Sequence, residues 1–113
     1  MLVYNIKPAV VNIRITSGDT INKTFSITKD GIAWDLTGYD IDMRIKTPDG
    51  RTLKILTNTG GSTEITVSGA SYSILADSPT EVGFFNYDVQ VTIAGAKYTF
   101  QVGKIEIQKE YTP

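Results

Sequence analysis

The sequence predicts an all-β fold, two antiparallel sheets packed face to face. Three observations predict it. Apolar residues fall on alternate positions in short runs, each run stops at Gly, Asp, Asn or Pro, and the runs recur at the spacing of hairpin-connected strands. A chain of 113 residues fits one domain, residues 1–113, large enough to bury a core without staples. It contains no cysteine, so disulfides and thiolate metal sites contribute nothing.

The elements follow in order. Residues 1–9 open with Leu2, Val3, Tyr4, Ile6 and Pro8, a largely apolar stretch. It is read as an N-terminal arm or an edge strand. Pro8 would keep such an edge from pairing with other chains, whereas in an assembly the arm would add to a neighbour's sheet. Val11, Ile13 and Ile15 alternate with Asn12, Arg14 and Thr16, and Phe25 and Ile27 with Thr24, Ser26 and Thr28. Ile41, Met43 and Ile45 alternate with Asp40, Asp42, Arg44 and Lys46. Leu53 with Ile55 and Ile65 with Val67 continue the pattern. The cleanest run sets Phe85, Tyr87, Val89, Val91 and Ile93 against Asn86, Asp88, Gln90 and Thr92. One dry face and one wet face is what a sheet packed on a second sheet requires.

Turn chemistry agrees. Ser17-Gly18-Asp19, Asp30-Gly31, Thr37-Gly38, Asp49-Gly50, Gly60-Gly61 and Ala94-Gly95-Ala96 separate the runs with residues suited to tight turns. In the last run the apolar phase slips, from Tyr98, Phe100 and Val102 to Ile105 and Ile107. That predicts a bulge or sharp bend at Gly103, in a strand that begins in one sheet and ends along the other. Ser78-Pro79-Thr80-Glu81 has the form of a capping box with proline at the first helical position. The expected fold is therefore an all-β, immunoglobulin-like antiparallel β-sandwich with one short helical turn near Ser78–Val82.

Charge excludes some partners. Eleven basic and 12 acidic residues leave a net charge of −1 with no basic stripe, which argues against nucleic acid and against electrostatic docking on a membrane. No segment approaches the run of about 20 apolar residues that spans a bilayer. The N-terminus lacks the basic start and apolar run of a signal peptide, so folding in the cytoplasm is expected.

Catalytic raw material is thin. Without His or Cys, the usual general base, thiol nucleophiles and commonest zinc ligands are absent. The carboxylates fall in turns or on wet strand faces, so no catalytic, metal-binding or cofactor-binding residue is assigned, and an enzyme is not expected. Asp40 and Asp42 share one strand face near Asp35, but they read as a solubilising face beside Arg44 and Lys46 rather than a calcium site. Gly60-Gly61-Ser62-Thr63 lacks the lysine and helix onset of a phosphate loop. Asn22-Lys23-Thr24 matches a glycosylation sequon that has no use without secretion. Trp34, the single tryptophan, is expected to fill core. The candidate interface residues are Leu2, Val3, Tyr4, Ile6, Tyr39 and Tyr111.

Several stretches in order carry a resemblance. Asp30-Gly31-Ile32-Ala33-Trp34-Asp35-Leu36-Thr37-Gly38 precedes an alternating strand and then Thr47-Pro48-Asp49-Gly50. Val82-Gly83-Phe84-Phe85-Asn86-Tyr87-Asp88-Val89 and Gly103-Lys104-Ile105-Glu106-Ile107 follow. Together they resemble immunoglobulin-like modules of bacteriophage tail and baseplate proteins, of which the N-terminal domain of the baseplate upper protein is the type. Phe85 stands where that family more usually has tyrosine. The resemblance implies a non-enzymatic structural part of a phage or prophage virion, contacting other virion proteins or copies of itself as a homo-oligomer. It brings no cofactor and no catalytic residue. The alternative is a bacterial adhesion or carbohydrate-binding sandwich that works through exposed aromatics.

Overall fold

The computed structural model describes residues 8–29, 31–61, 63–79 and 81–109, and these build two packed sheets and a small ribbon. The strands are β1 (Ala9–Val10), β2 (Ile13–Thr16), β3 (Thr20–Ser26), β4 (Thr28–Lys29), β5 (Ile32–Ala33), β6 (Asp40–Lys46) and β7 (Thr52–Thr57). They continue with β8 (Ile65–Ser68), β9 (Ser71–Asp77), β10 (Gly83–Ile93) and β11 (Ala96–Gln108). The larger sheet runs β1-β11-β10-β6-β7, with β2 also on β11, and the smaller runs β3-β9-β8. β4 and β5 pair with each other in a separate two-stranded ribbon.

This is an immunoglobulin-like sandwich in its strand order. Ile41, Met43 and Ile45 of β6 and Val89 and Val91 of β10 line the core as the alternation places them, and they face Ile21 of β3 and Tyr72 and Ile74 of β9. Tyr72 stacks on Phe25 at 5.3 Å and meets Phe100 edge-on at 5.5 Å. Trp34 closes the flank half-buried, its ring edge-on to Phe100 at 6.4 Å.

The sheets are not wholly antiparallel. β1 and β2 run parallel to β11 in one continuous register, Ala9 beside Gln101 and Thr16 beside Gln108. The strand itself is interrupted at Val11 and Asn12, where the chain presses onto Gly103. A Cβ at Gly103 would stand 1.9 Å from the Val11 carbonyl oxygen. Val11 N–H donates to the Val102 carbonyl (2.9 Å), and the Asn12 carboxamide oxygen accepts from Lys104 N–H (3.1 Å). Gly103 is thus needed for close approach rather than for a bulge.

The bulge lies three residues earlier. Val89 opposes Gln101 but Gln90 opposes Thr99, so Phe100 is the extra residue. Phe100 and Gln101 are both buried as a result, and Val102 turns to the outer face opposite Asp88. β11 stays in one sheet throughout, paired along its length with β10. The polar Gln101 is tolerated in the core because both ends of its carboxamide are bound. Tyr72 Oη donates to Gln101 Oε1 (2.6 Å), Gln101 Nε2 donates to Tyr87 Oη (2.9 Å), and Tyr87 Oη donates to the Val11 carbonyl (2.5 Å). This chain of bonds ties β9 of the smaller sheet to β10, β11 and the N-terminal strand of the larger.

Three further expectations change. No helical turn forms at residues 78, 79, 81 and 82. The Ser78 hydroxyl that would cap a helix instead accepts from Gly18 N–H (3.1 Å), while Ser78 N–H donates to the Asp19 carbonyl (3.1 Å). The apolar phase of β7 differs too: a register shift opposite Ile45 and Lys46 places Leu56 in the core beside Met43 and leaves Ile55 exposed. Finally, β9 is a strand the alternation did not single out. Tyr72, Ile74 and Ala76 point inward, with Leu75 exposed between them.

Candidate interaction surface

The larger sheet turns one face to the core and leaves the other open. Pairing registers place Val10, Val102, Asp88, Arg44 and Ile55 in one row across that outer face. Lys104, Asn86 and Lys46 form the next row, and Glu106 and Phe84 the one after. Val10, Ile55 and Phe84 are exposed, each by more than half of its surface. Between the first two rows lies an open hollow of about 630 Å³, floored by Tyr87 and Gly103 and walled by Val10, Val102, Lys46 and Lys104.

Electrostatics on this face are mixed. Lys46 Nζ lies 3.8 Å from Asp88 Oδ2, and Arg14 Nε donates to Glu106 Oε2 at 2.6 Å. Arg44 Nε, Asp88 Oδ1 and Gln90 Oε1 are screened from solvent with no hydrogen-bond partner among the described residues. Both flanks of the sandwich carry a lysine at a core-side strand position. Lys23 on the free edge β3 lies opposite Ile74 yet is exposed. Lys54 on β7 lies opposite Ile45, and its Nζ donates to the Asp77 carbonyl at 2.7 Å. Inward-pointing lysines on edge strands block edge-to-edge pairing, which leaves the open face as the better contact surface.

The residues carrying the sequence resemblance serve the backbone. Asp35 Oδ1 accepts from Thr37 N–H (3.0 Å), and the Thr37 hydroxyl bond holds its carboxyl below the usual range. Leu36 between them is fully buried. Asp49 is likewise lowered by the Thr47 hydroxyl, which donates to Asp49 Oδ1 in the turn before β7. Burial pushes the phenols of Tyr72 and Tyr87 up, so both stay protonated in the core bond chain.

Of the candidate interface residues, Tyr39 is half-buried against the core, with its backbone bonded to Leu36 and Asn58. Leu2, Val3, Tyr4, Ile6 and Tyr111 lie outside the described residues, as does most of the predicted N-terminal arm. Its last residue, Ala9, begins β1 at the sheet edge. Among the described residues no cluster of three or more acidic side chains could hold a metal ion. Sequence did not place Val10, Ile55, Phe84 and Val102 on the surface, and Ile55 and Val102 read there as members of inward-facing apolar runs. The charge order of β6 was visible there, but was read as a solvated face.

Fold and surface together define an immunoglobulin-like domain whose larger sheet leaves its outer face open. No protein-family model matches the chain, and no curated protein matches it either. Among solved structures, it is similar to Drosophila OTK, extracellular domains 3–5, at 15% identity and a TM-score of 0.35. The likeness covers 93% of this chain and 34% of that one.

Proposed function

We propose that this domain is a non-enzymatic structural module of a phage or prophage virion, joining tail, baseplate or fibre parts through protein–protein contacts. The observation that carries the contact role is the uncovered outer face of the larger sheet, with Val10, Ile55 and Phe84 exposed on it. The virion setting rests on the ordered motifs from Asp35-Leu36-Thr37-Gly38 to Gly103-Lys104-Ile105. These build turns and core here, so they speak for a shared scaffold and leave the contact chemistry to the surface.

The test is direct. Particles are induced from the bacterial strain carrying the gene, banded on a density gradient, and analysed by mass spectrometry and by labelling with an antibody to the domain. The protein should co-band with particles and the label should mark the tail or its tip. Its absence from purified particles would overturn the virion role. Binding of the isolated domain on a glycan array would favour the adhesion reading instead. Among the described residues Phe84 is the large aromatic side chain exposed on the open face, and a single ring makes a poor sugar platform.

A further inference from the structure

The outer face of β6 carries its charges in a particular order. Ile41, Met43 and Ile45 are fully buried, so Asp40, Asp42, Arg44 and Lys46 stand on the other side of the strand. Read along the strand, the order is acid, acid, base, base. Laid antiparallel over a copy of itself, that stripe sets each acid against a base. Laid parallel, it sets like charges together. On the other strands of the sheet Asp88, Lys104 and the mutually neutralising Arg14–Glu106 pair join the basic half, and Lys97 joins the acidic half. The halves keep surpluses of opposite sign.

We propose that this face is an isologous interface between two copies of the chain, with β6 crossing β6 in antiparallel sense. The two-fold axis passes between Asp42 and Arg44. Asp42 then meets Arg44 of the second copy, and Asp40 meets Lys46. Each contact occurs twice, as two-fold symmetry demands. The register of β10 follows, because Gln90 lies beside Asp42 and Asp88 beside Arg44. The axis therefore also falls between Gln90 and Asp88. It brings the Gln90 carboxamide, which donates to the Thr99 hydroxyl at 3.5 Å, to the Asp88 carboxylate of the second copy.

Ile55 lies one strand out from Arg44, and Thr57 lies beside Asp42. The exposed Ile55 side chain thus falls over Thr57 of the second copy. Aligned sheets pack at an angle of about 30°, so contacts near the axis stay matched while outer ones splay. The central Asp42–Arg44 pairs carry more of the specificity than the Asp40–Lys46 pairs. The inference rests on the reading of the domain as an assembly module, and names the surface and the first partner, a second copy.

Charge swaps test it. One variant carries Asp40→Lys and Asp42→Lys, making the stripe wholly basic. The other carries Arg44→Asp and Lys46→Asp, making it wholly acidic. Circular dichroism and thermal melts first establish that each folds. Wild type should sediment as a dimer, and each variant alone as a monomer, weakened by roughly a hundredfold or more because like charges now face each other. An equimolar mixture of the two variants should recover a heterodimer. A wild-type protein that stays monomeric at about 1 mM, or variants that dimerise alone, or a mixture that does not associate, would overturn the proposal. If either variant fails to fold, salt gives the second reading on wild type: raising ionic strength from about 0.05 to 0.5 M should weaken the dimer about tenfold or more, and an unchanged constant overturns it. Virion association is scored separately, so particles containing the protein together with a failed mixing experiment would sink only this inference.

Discussion

Replacing Gly103 by alanine adds one methyl group where the backbone of Val11 leaves no room for it. The new Cβ would stand 1.9 Å from the Val11 carbonyl oxygen, 2.8 Å from its carbon and 3.0 Å from Tyr87 Cε1. Two of those atoms are backbone, which cannot rotate away as a side-chain end can. The N-terminal strand must lift off β11. Three bonds go with it: Val11 N–H to the Val102 carbonyl, Tyr87 Oη to the Val11 carbonyl, and Lys104 N–H to Asn12. Overpacking alone costs about 1–3 kcal/mol, and each lost bond about 0.5–1.5 kcal/mol, more where a buried partner is left unmet. A loss of about 3–5 kcal/mol follows, against a total stability of about 5–15 kcal/mol. Urea unfolding followed by the fluorescence of Trp34, the single tryptophan, reads it directly. At about 1.5 kcal/mol per molar, the midpoint should fall by roughly 2–3 M. Hydrogen exchange at the Val11 and Lys104 amides should accelerate in the variant even where the domain remains folded. A loss below about 1 kcal/mol, with both amides still protected, would refute the close-approach account of Gly103.

Three other outcomes are expected. Ala94 and Gly95 form the two-residue turn between β10 and β11, and both have positive φ, 51° for Ala94. Ala94→Asn should therefore stabilise the domain by about 0.5–1 kcal/mol, measured as a rise in the midpoint of thermal unfolding. Burial favours the neutral phenols of Tyr72 and Tyr87, so the folded state keeps protons that the unfolded chain releases near pH ~10. Stability should hold below that pH and fall above it by about 1.4 kcal/mol per unit for each tyrosine, and Tyr72→Phe should show the shallower alkaline fall. Lys23→Val puts an apolar side chain beside Ile74 at the free edge of β3. Monomer stability should rise by about 1 kcal/mol, while dynamic light scattering shows new self-association through the unguarded edge.

The legibility of the fold tracks how strictly each strand obeys period two. β10 was fully readable, since every odd position from Phe85 to Ile93 is buried and no residue breaks the alternation. β9 hid because Leu75 puts a large apolar side chain on its wet face and Ala76 a small one on its dry face. The phase slip of β11 was visible but misplaced. Gln101 is polar and so looked wet, when in fact it is buried and satisfied by two tyrosines from other strands. Only tertiary contacts reveal that. Ser78 failed in a similar way, because its hydroxyl is used by Gly18, sixty residues away in sequence. The open face was the least legible part. Its pattern is split over six strands, and only the charge order of β6 lies within one stretch of chain.

The parallel pairing of β1 and β2 with β11 has a mechanical consequence. Ala9 sits level with Gln101 and Thr16 with Gln108, so the chain comes in at one end of that ladder and leaves at the other. Tension applied between Pro8 and Lys109 would load the two strands in shear along their length rather than peel them apart bond by bond. Bonds sheared in parallel yield together, at a higher force than bonds unzipped in sequence. The bolt from Tyr87 to the Val11 carbonyl lies midway along that ladder, where it would resist sliding.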